Sequence, residues 1–313
     1  MHHGKISADV AAQIKALRKI IGEAKVPSSR VDENLILGTW NIREFGKKKR
    51  SKAAIHLIAE IINQYDVISL VEVRDNLQDL KRVLDVLGSY WRVVLSDYNV
   101  DHAGNRERVA YVYDSRMVRF TGLAAEADPP KVKKNGVYES AYPDWWRSPY
   151  MASFTAGNFD FVMMTAHIRW SGGVSKRAEA IGHLADWVEI RRNERAAVDT
   201  DFIVVGDFNI PSRGSSAFKA LTKHSLQMPG GLLKVKGTNL SEKNVYDQIV
   251  HSPTLEDRFT DRGGIIRFFK NSHKELFPEM SEKAFTYQLS DHLPLWVEVD
   301  TWIEDELIDS YLS

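Results

Sequence analysis

The 313-residue sequence predicts a chain of the α/β (α+β) class, and three observations carry that reading. Short apolar runs rich in Val, Ile, Phe and Trp alternate with segments of helical period. Hydrophobic residues make up 43% and charged residues 27%, which is ordinary for a globular protein and too apolar for a disordered one. The chain is long enough to bury a large core, and no internal repeat or low-complexity segment interrupts it.

The elements follow in order. Residues 7–22 have Val10, Ile14, Leu17 and Ile21 at helical spacing behind a candidate N-cap, Ser7. A polar link, Val26 to Asn34, separates this helix from the rest, so 1–34 is expected to be an N-terminal extension packed on a main domain over 35–300. Within that domain, strands are expected at Leu35–Trp40, Val67–Val71, Trp91–Leu95, Val109–Tyr113, Phe159–Thr165, Phe202–Val205, Val245–Val250 and Leu293–Val299. Helices are expected at 51–64, 76–88, 174–194 and 215–223. Residues 121–149, with Pro129-Pro130, Lys131, Lys133, Lys134 and Trp145-Trp146, form a long excursion, and Met228 to Asn244 a second loop. The tail from 301 to 313 reads as a short acidic helix.

Composition excludes several classes of function. Lys+Arg and Asp+Glu are both 42, so any polyanion must be held by a local patch rather than by bulk charge. The absence of cysteine excludes a disulfide scaffold, a thiol nucleophile and thiolate metal sites. No apolar run reaches the roughly 18 residues of a membrane span. No signal peptide is read at the N-terminus, which slightly favours a cytoplasmic location, and a monomer is expected. No GxxxxGK[ST] loop or GxSxG elbow is present, which argues against nucleoside triphosphate hydrolysis and serine esterase chemistry.

Four apolar runs each end in a group able to bind metal or protons: Asn41, Glu72, His167 and Asp207, with Asn209 two residues on. In open sheets, ligand-binding groups gather at the carboxyl ends of strands. Asp291-His292 precedes the last run, and an antiparallel strand begins at the edge where its parallel neighbours end. Glu72, Asp207, Asn41 and Asn209 are hard oxygen donors, which suit Mg²⁺, Mn²⁺ or Ca²⁺. His167 and His292 supply proton transfer near neutral pH, and Asp247 is placed to orient a histidine. Carboxylates for a divalent ion together with two histidines fit metal-assisted hydrolysis of a phosphate ester. Lys47-Lys48-Lys49-Arg50 directly follows the Asn41 segment and would border such a site as a basic strip for a phosphate backbone. Trp145-Trp146 is assigned to the core, and His56, His102, His183, His224, His251 and His273 to the surface.

Seven segments then resemble one known family in its own order. They are Trp40-Asn41-Ile42-Arg43-Glu44-Phe45-Gly46, Val71-Glu72-Val73-Arg74-Asp75, Arg106-Glu107-Arg108, Thr165-Ala166-His167, Gly206-Asp207-Phe208-Asn209, Val245-Tyr246-Asp247-Gln248-Ile249-Val250 and Ser290-Asp291-His292-Leu293-Pro294. The chain resembles the endonuclease/exonuclease/phosphatase superfamily and, within it, is most like DNase I. The resemblance implies a four-layer sandwich of two mixed β-sheets flanked by helices, with the site at one rim. It implies that Asn41, Glu72, Asp207 and Asp291 hold the divalent ion, Mg²⁺ first and Mn²⁺ or Ca²⁺ as substitutes or additional ions. It further implies that Glu107 pairs with His167 and Asp247 with His292, and that Asp207 and Asn209 orient the attacked phosphate and its nucleophile. Arg74 and Arg147 resemble the family's phosphate-contacting arginines, and Arg43 the residue that approaches the minor groove. Asn105 stands where DNase I has a groove-stacking tyrosine.

The function so implied is a divalent-metal-dependent phosphodiesterase, a DNase I-like endonuclease with little sequence preference that leaves 5′-phosphate ends. The alternative keeps the chemistry and changes the substrate to inositol phosphates, phospholipid head groups or nucleotides. The 5-phosphatase signatures are absent, since Val204-Val205 precedes Gly206 and Val245-Tyr246 precedes Asp247. A non-catalytic binding module would have lost Glu72, Asp207 or a histidine, and none is lost.

Overall fold

A computed structural model describes all residues except 99–105, 144, 198, 270–272, 303–307, 309–310 and 313. In chain order the elements are α1 (Ala8–Ala24), β1 (Asn34–Phe45), α2 (Lys52–Ile62), β2 (Val67–Arg74), α3 (Gln78–Leu87), β3 (Trp91–Leu95) and β4 (Glu107–Asp114). There follow β5 (Arg119–Glu126), β6 (Lys131–Lys134), β7 (Val137–Ser140), β8 (Tyr150–Ala156), β9 (Phe159–His167) and α4 (Gly173–Arg192). The last are β10 (Phe202–Asp207), α5 (Ser216–Leu221), β11 (Asp247–His251), β12 (Phe259–Ile265), α6 (Glu282–Thr286) and β13 (Leu295–Asp300).

Two mixed sheets form, of order β12-β13-β1-β2-β4-β3 and β11-β10-β9-β8-β5. Strand alternation explains how they stack. Phe161 and Met163 of β9, and Ile203 and Val205 of β10, join the core shared with the first sheet. Their neighbours Val162, Met164, Phe202 and Val204 face the other way, onto Ile181, Leu184 and Val188 of α4 and Leu221 of α5. The two sheets also meet through hydrogen bonds. The Tyr111 hydroxyl of β4 donates to the carbonyls of Tyr150 and Met163 at 2.7 and 2.9 Å, and Ser69 of β2 meets Thr165 of β9 at 2.8 Å. The helix α2 is buried along its length and packs with α1 beside the first sheet. The result is the four-layer sandwich expected of this sequence.

The N-terminal helix forms because Ser7 accepts from the Val10 N–H and closes its first turn. Its Ile14, Leu17 and Ile21 share the core of the first sheet. The two sheets' parallel pairs, β1 with β2 and β9 with β10, end at the same rim: Asn41 lies beside Val71, and Asp207 beside His167. The strand β11 runs antiparallel and brings Asp247 opposite Asp207. Two register breaks of the first sheet fall here, between Asn41 and Phe45 and between Leu70 and Val73. Bulges of this kind re-aim side chains at a sheet edge.

Several expectations need correction. The long excursion at 121–149 holds part of the edge strand β5 and an exposed hairpin, β6–β7, where no strand is expected from the sequence. His56, His251 and His273 are buried rather than on the surface. His56 meets His3 at 2.9 Å, and the His251 ring stacks on Phe259. Arg50 is also buried, at 1% exposure, and cannot belong to a surface strip. Its guanidinium donates to the carbonyls of Ile42 and Arg43, at 2.9 and 2.6 Å, which braces the loop after Asn41. Trp145-Trp146 splits: Trp145 donates to the Ala180 carbonyl against the core, while Trp146 is exposed. Asn105, His102 and the greater part of the 301–313 tail lie outside the described residues.

Candidate active site

The rim gathers Glu72, His167, Asp207, Asn209 and His292 into one cleft, together with Glu107 and Arg147. Backbone conformation aims them. Glu72 and Asn209 have φ of 64° and 52°, a left-handed conformation that ordinary residues adopt rarely and that concentrates at functional sites. Gly206 has φ 130°, and a Cβ there would collide with the Ala166 carbonyl oxygen, so glycine alone lets β10 deliver Asp207 beside His167.

Asp207 is the centre. Its Oδ2 lies 3.7 Å from His167 Nε2 and 3.9 Å from His292 Nε2, and accepts from the Asn41 amide at 2.9 Å. Its Oδ1 accepts the Asn209 N–H at 2.9 Å. The same Asn41 amide donates to Glu72 at 3.0 Å. The second Glu72 oxygen accepts the Glu44 N–H at 2.8 Å. Asn209 is held by its own amide on the Ile168 carbonyl at 2.8 Å.

Each imidazole is tied down through Nδ1 and presents Nε2 to the cleft. His167 Nδ1 is 2.9 Å from Glu107, and His292 Nδ1 is 2.7 Å from Asp247. Burial works to raise the Glu107 carboxyl, but His167, Arg147 and Arg74 outweigh it and hold it at about 2. An ionised carboxylate only accepts, so His167 Nδ1 donates to it and Nε2 is left to take or give a proton. Burial lowers His167 and His292, but facing carboxylates win and both are raised, His292 well above the usual histidine range. For His167 the chief cause is Glu107; for His292 it is Asp247, then Asp207.

Supporting contacts were not legible as motifs. Ser290 donates to the Asn41 carbonyl at 2.6 Å and accepts the His292 N–H at 3.0 Å, coupling the two segments. Trp40 Nε1 donates to the His292 carbonyl, and Thr238 accepts the Asp247 N–H. Serine and threonine are too common for their type to mark them.

The oxygen donors fit a divalent cation. Glu72 and Asp207 converge on a single amide donor, and one oxygen of the buried Asp247 has no partner among the described residues. Carboxylate oxygens in excess over donors suit a hard ion such as Mg²⁺, Mn²⁺ or Ca²⁺. The ligand atoms of Asp207, Asp247 and His292 lie within 4.8 Å of one another. Asp291 is not in that cluster; it pairs with Arg43 at 3.0 Å. Arg43 also lies over the Tyr287 ring, as does Lys48. Arg147 and Arg74 flank Glu107, at 3.1 and 3.9 Å. Lys47 pairs with Glu44, and Lys49 is exposed.

A family model described as endonuclease/exonuclease/phosphatase matches residues 38–292, which span every residue of the cleft. The chain belongs to that family. Its members are phosphoric ester hydrolases that use divalent metals, and this chain is a phosphoesterase of the family. Deoxyribonuclease gamma of Rattus norvegicus is 24% identical over 276 residues, covering 84% of this chain and 83% of the relative. A family protein from Bacteroides thetaiotaomicron superposes with a TM-score of 0.59 at 18% identity, over 87% of this chain and 96% of that one. The mannosyl-6-phosphatase of Bacteroides thetaiotaomicron superposes with a TM-score of 0.58 at 18% identity, over 85% of this chain and 99% of that one. At such identities these two report the fold.

Proposed function

We propose that this chain is a divalent-metal-dependent endonuclease that hydrolyses DNA backbone phosphodiesters with little sequence preference. The observation that carries the reading is the pair of carboxylate–histidine couples, Glu107–His167 and Asp247–His292, aimed at one Asp207 oxygen. Similarity to deoxyribonuclease gamma over most of both chains supports a nucleic acid as substrate. Arg74 and Arg147 beside the cleft, and the Lys47–Lys49 strip at its border, supply positive charge for a phosphate backbone.

Glu72, Asp207 and Asn41 would hold the ion, which when bound polarises the phosphoryl oxygen and lowers the pKa of water. The chain's own groups do the rest. One imidazole Nε2 takes the proton of the attacking water, while the other gives a proton to the leaving oxygen. Glu107 and Asp247 fix the ring orientations and stabilise the cationic forms. Water attacks phosphorus in line, the P–O bond to the 3′ oxygen breaks, and the phosphate stays on the 5′ side.

The test is a substrate panel with Mg²⁺, Mn²⁺ and Ca²⁺, with Asp207→Ala as the blank. Cleavage of plasmid and linear duplex that weakens with rising salt supports the reading. Intact DNA alongside hydrolysis of an inositol phosphate, phospholipid or sugar phosphate rejects it.

A further inference from the structure

Beside the catalytic cleft, on the α4 side, lies a second hollow whose walls carry Arg147, Arg169, Lys176 and Arg177 and, among the described residues, no carboxylate. His167 and Arg147 line both hollows, so the two are continuous. The floor is Arg177. It is 6% exposed, and its Nε has no hydrogen-bond partner among the described residues. A buried guanidinium N–H left unpaired is costly, and an anion at this point would satisfy it. The N-terminus of α4 opens into the same hollow. Its N-cap is Gly172, so no side chain caps the first turn, and no acidic residue sits in that turn. Free N–H groups and the positive end of the helix dipole reinforce the preference for an anion.

Two exposed indoles stand where the hollow and the cleft join: Trp146 lines both, and Trp170 lines the cleft. Trp170 is 57% exposed and rests on the Arg177 guanidinium, 4.8 Å from its ring centroid. Its edge meets Tyr246, which in turn adjoins His292. Trp146 is 51% exposed, with Arg169 over its ring at 3.9 Å. Each indole thus carries an arginine on its ring and stays open to solvent beside the basic hollow, where it can stack a base.

We propose that this hollow is a flanking subsite for single-stranded polynucleotide: Arg169, Lys176 and Arg177 hold the phosphate next to the scissile one, and an unpaired base stacks on Trp170. The assignment rests on the nuclease reading above and adds strand preference to it. A base in duplex is already stacked and cannot reach an indole, so the subsite favours single strands and frayed ends over intact duplex.

The test compares bis(p-nitrophenyl) phosphate, which has one phosphorus, with a labelled single-stranded pentanucleotide and the same sequence in duplex. In Trp170→Ala, kcat/KM for the single strand relative to the one-phosphorus ester falls at least ~5-fold, the lower range of base–indole stacking. Trp170→Phe restores most of it. The duplex-to-ester ratio changes little. In Lys176→Ala, the slope of log kcat/KM against log salt for the single strand flattens by ~0.7. Thermal melting of both surface variants verifies folding. Unchanged ratios in both variants overturn the subsite while the nuclease reading stands. Ester hydrolysis by the wild type with no cleavage of either polynucleotide overturns the nuclease reading and the subsite together.

Discussion

His167 and His292 occupy equivalent stations on either side of Asp207, yet they are not interchangeable. His167 answers to Glu107, whose charge is shared with Arg147 and Arg74, whereas His292 answers to Asp247, buried with one oxygen unpartnered among the described residues. Replacing either histidine by alanine is expected to lower kcat/KM for bis(p-nitrophenyl) phosphate at least ~10²-fold, the lower range for acid–base catalysis. Glu107→Gln removes the anion that raises His167, so the His167 pKa should fall. Histidine NMR of the metal-free protein reads that shift directly, and an unchanged pKa would show that Asp207 holds the imidazolium instead. At this scale the sequence was informative wherever a residue type is chemically scarce. A His at the end of an apolar run, or Asp-x-Asn after Gly206, narrows chemistry by itself. Arg50 shows the limit: four consecutive cations look alike in sequence, and only burial distinguishes the brace from the strip.

That distinction is testable at the scale of the element. The Arg50 side chain ties the β1 end to the loop that leads into α2, so Arg50→Ala should destabilise the fold by roughly 2–4 kcal/mol. The salt dependence of phosphoester hydrolysis should not change. Lys49→Ala, on the surface, should do the reverse, leaving Tm in place and flattening the salt slope. Gly206→Ala should cost at least ~2 kcal/mol and displace Asp207, since the methyl meets the Ala166 carbonyl at a φ few residues tolerate. A Tm equal to the wild type would refute that account. The strands the sequence revealed are the apolar ones. Those it hid are β5, exposed along alternate positions; the exposed hairpin β6–β7; β8, whose Ala152, Ser153 and Thr155 are small or polar; and β12, interrupted by Gly263-Gly264. Of these, β5 and β12 are edge strands, which need one partner and little burial, so their sequence need not be apolar; β8 is interior and buried, between β9 and β5.

For the whole molecule, one buried carboxyl, Asp66, should leave a readable slope in the low-pH stability profile. Asp66 accepts from the Ile36 N–H at 2.6 Å and from Ser29 at 2.8 Å. Burial, followed by the nearby Asp114, nevertheless outweighs these bonds and pushes its carboxyl up to about 6. The folded state therefore holds this proton more tightly than the unfolded chain. Its contribution, at most ~3 kcal/mol, is present below pH ~4 and is lost as pH rises through about 6. Asp66→Asn should flatten urea stability between pH 4 and 6, and a persisting slope would assign the effect to another group. Sequence alone determined the class of chemistry, the order of the segments and most of the helices, because residue type and hydrophobic period are local properties. Tertiary structure decided which cation is a brace, which tryptophan faces solvent, and that Glu72, His167, Asp207 and His292 share one mouth. Those facts depend on how two sheets stack and where their edges coincide, and the physical cause is long-range packing, which no short window of residues encodes.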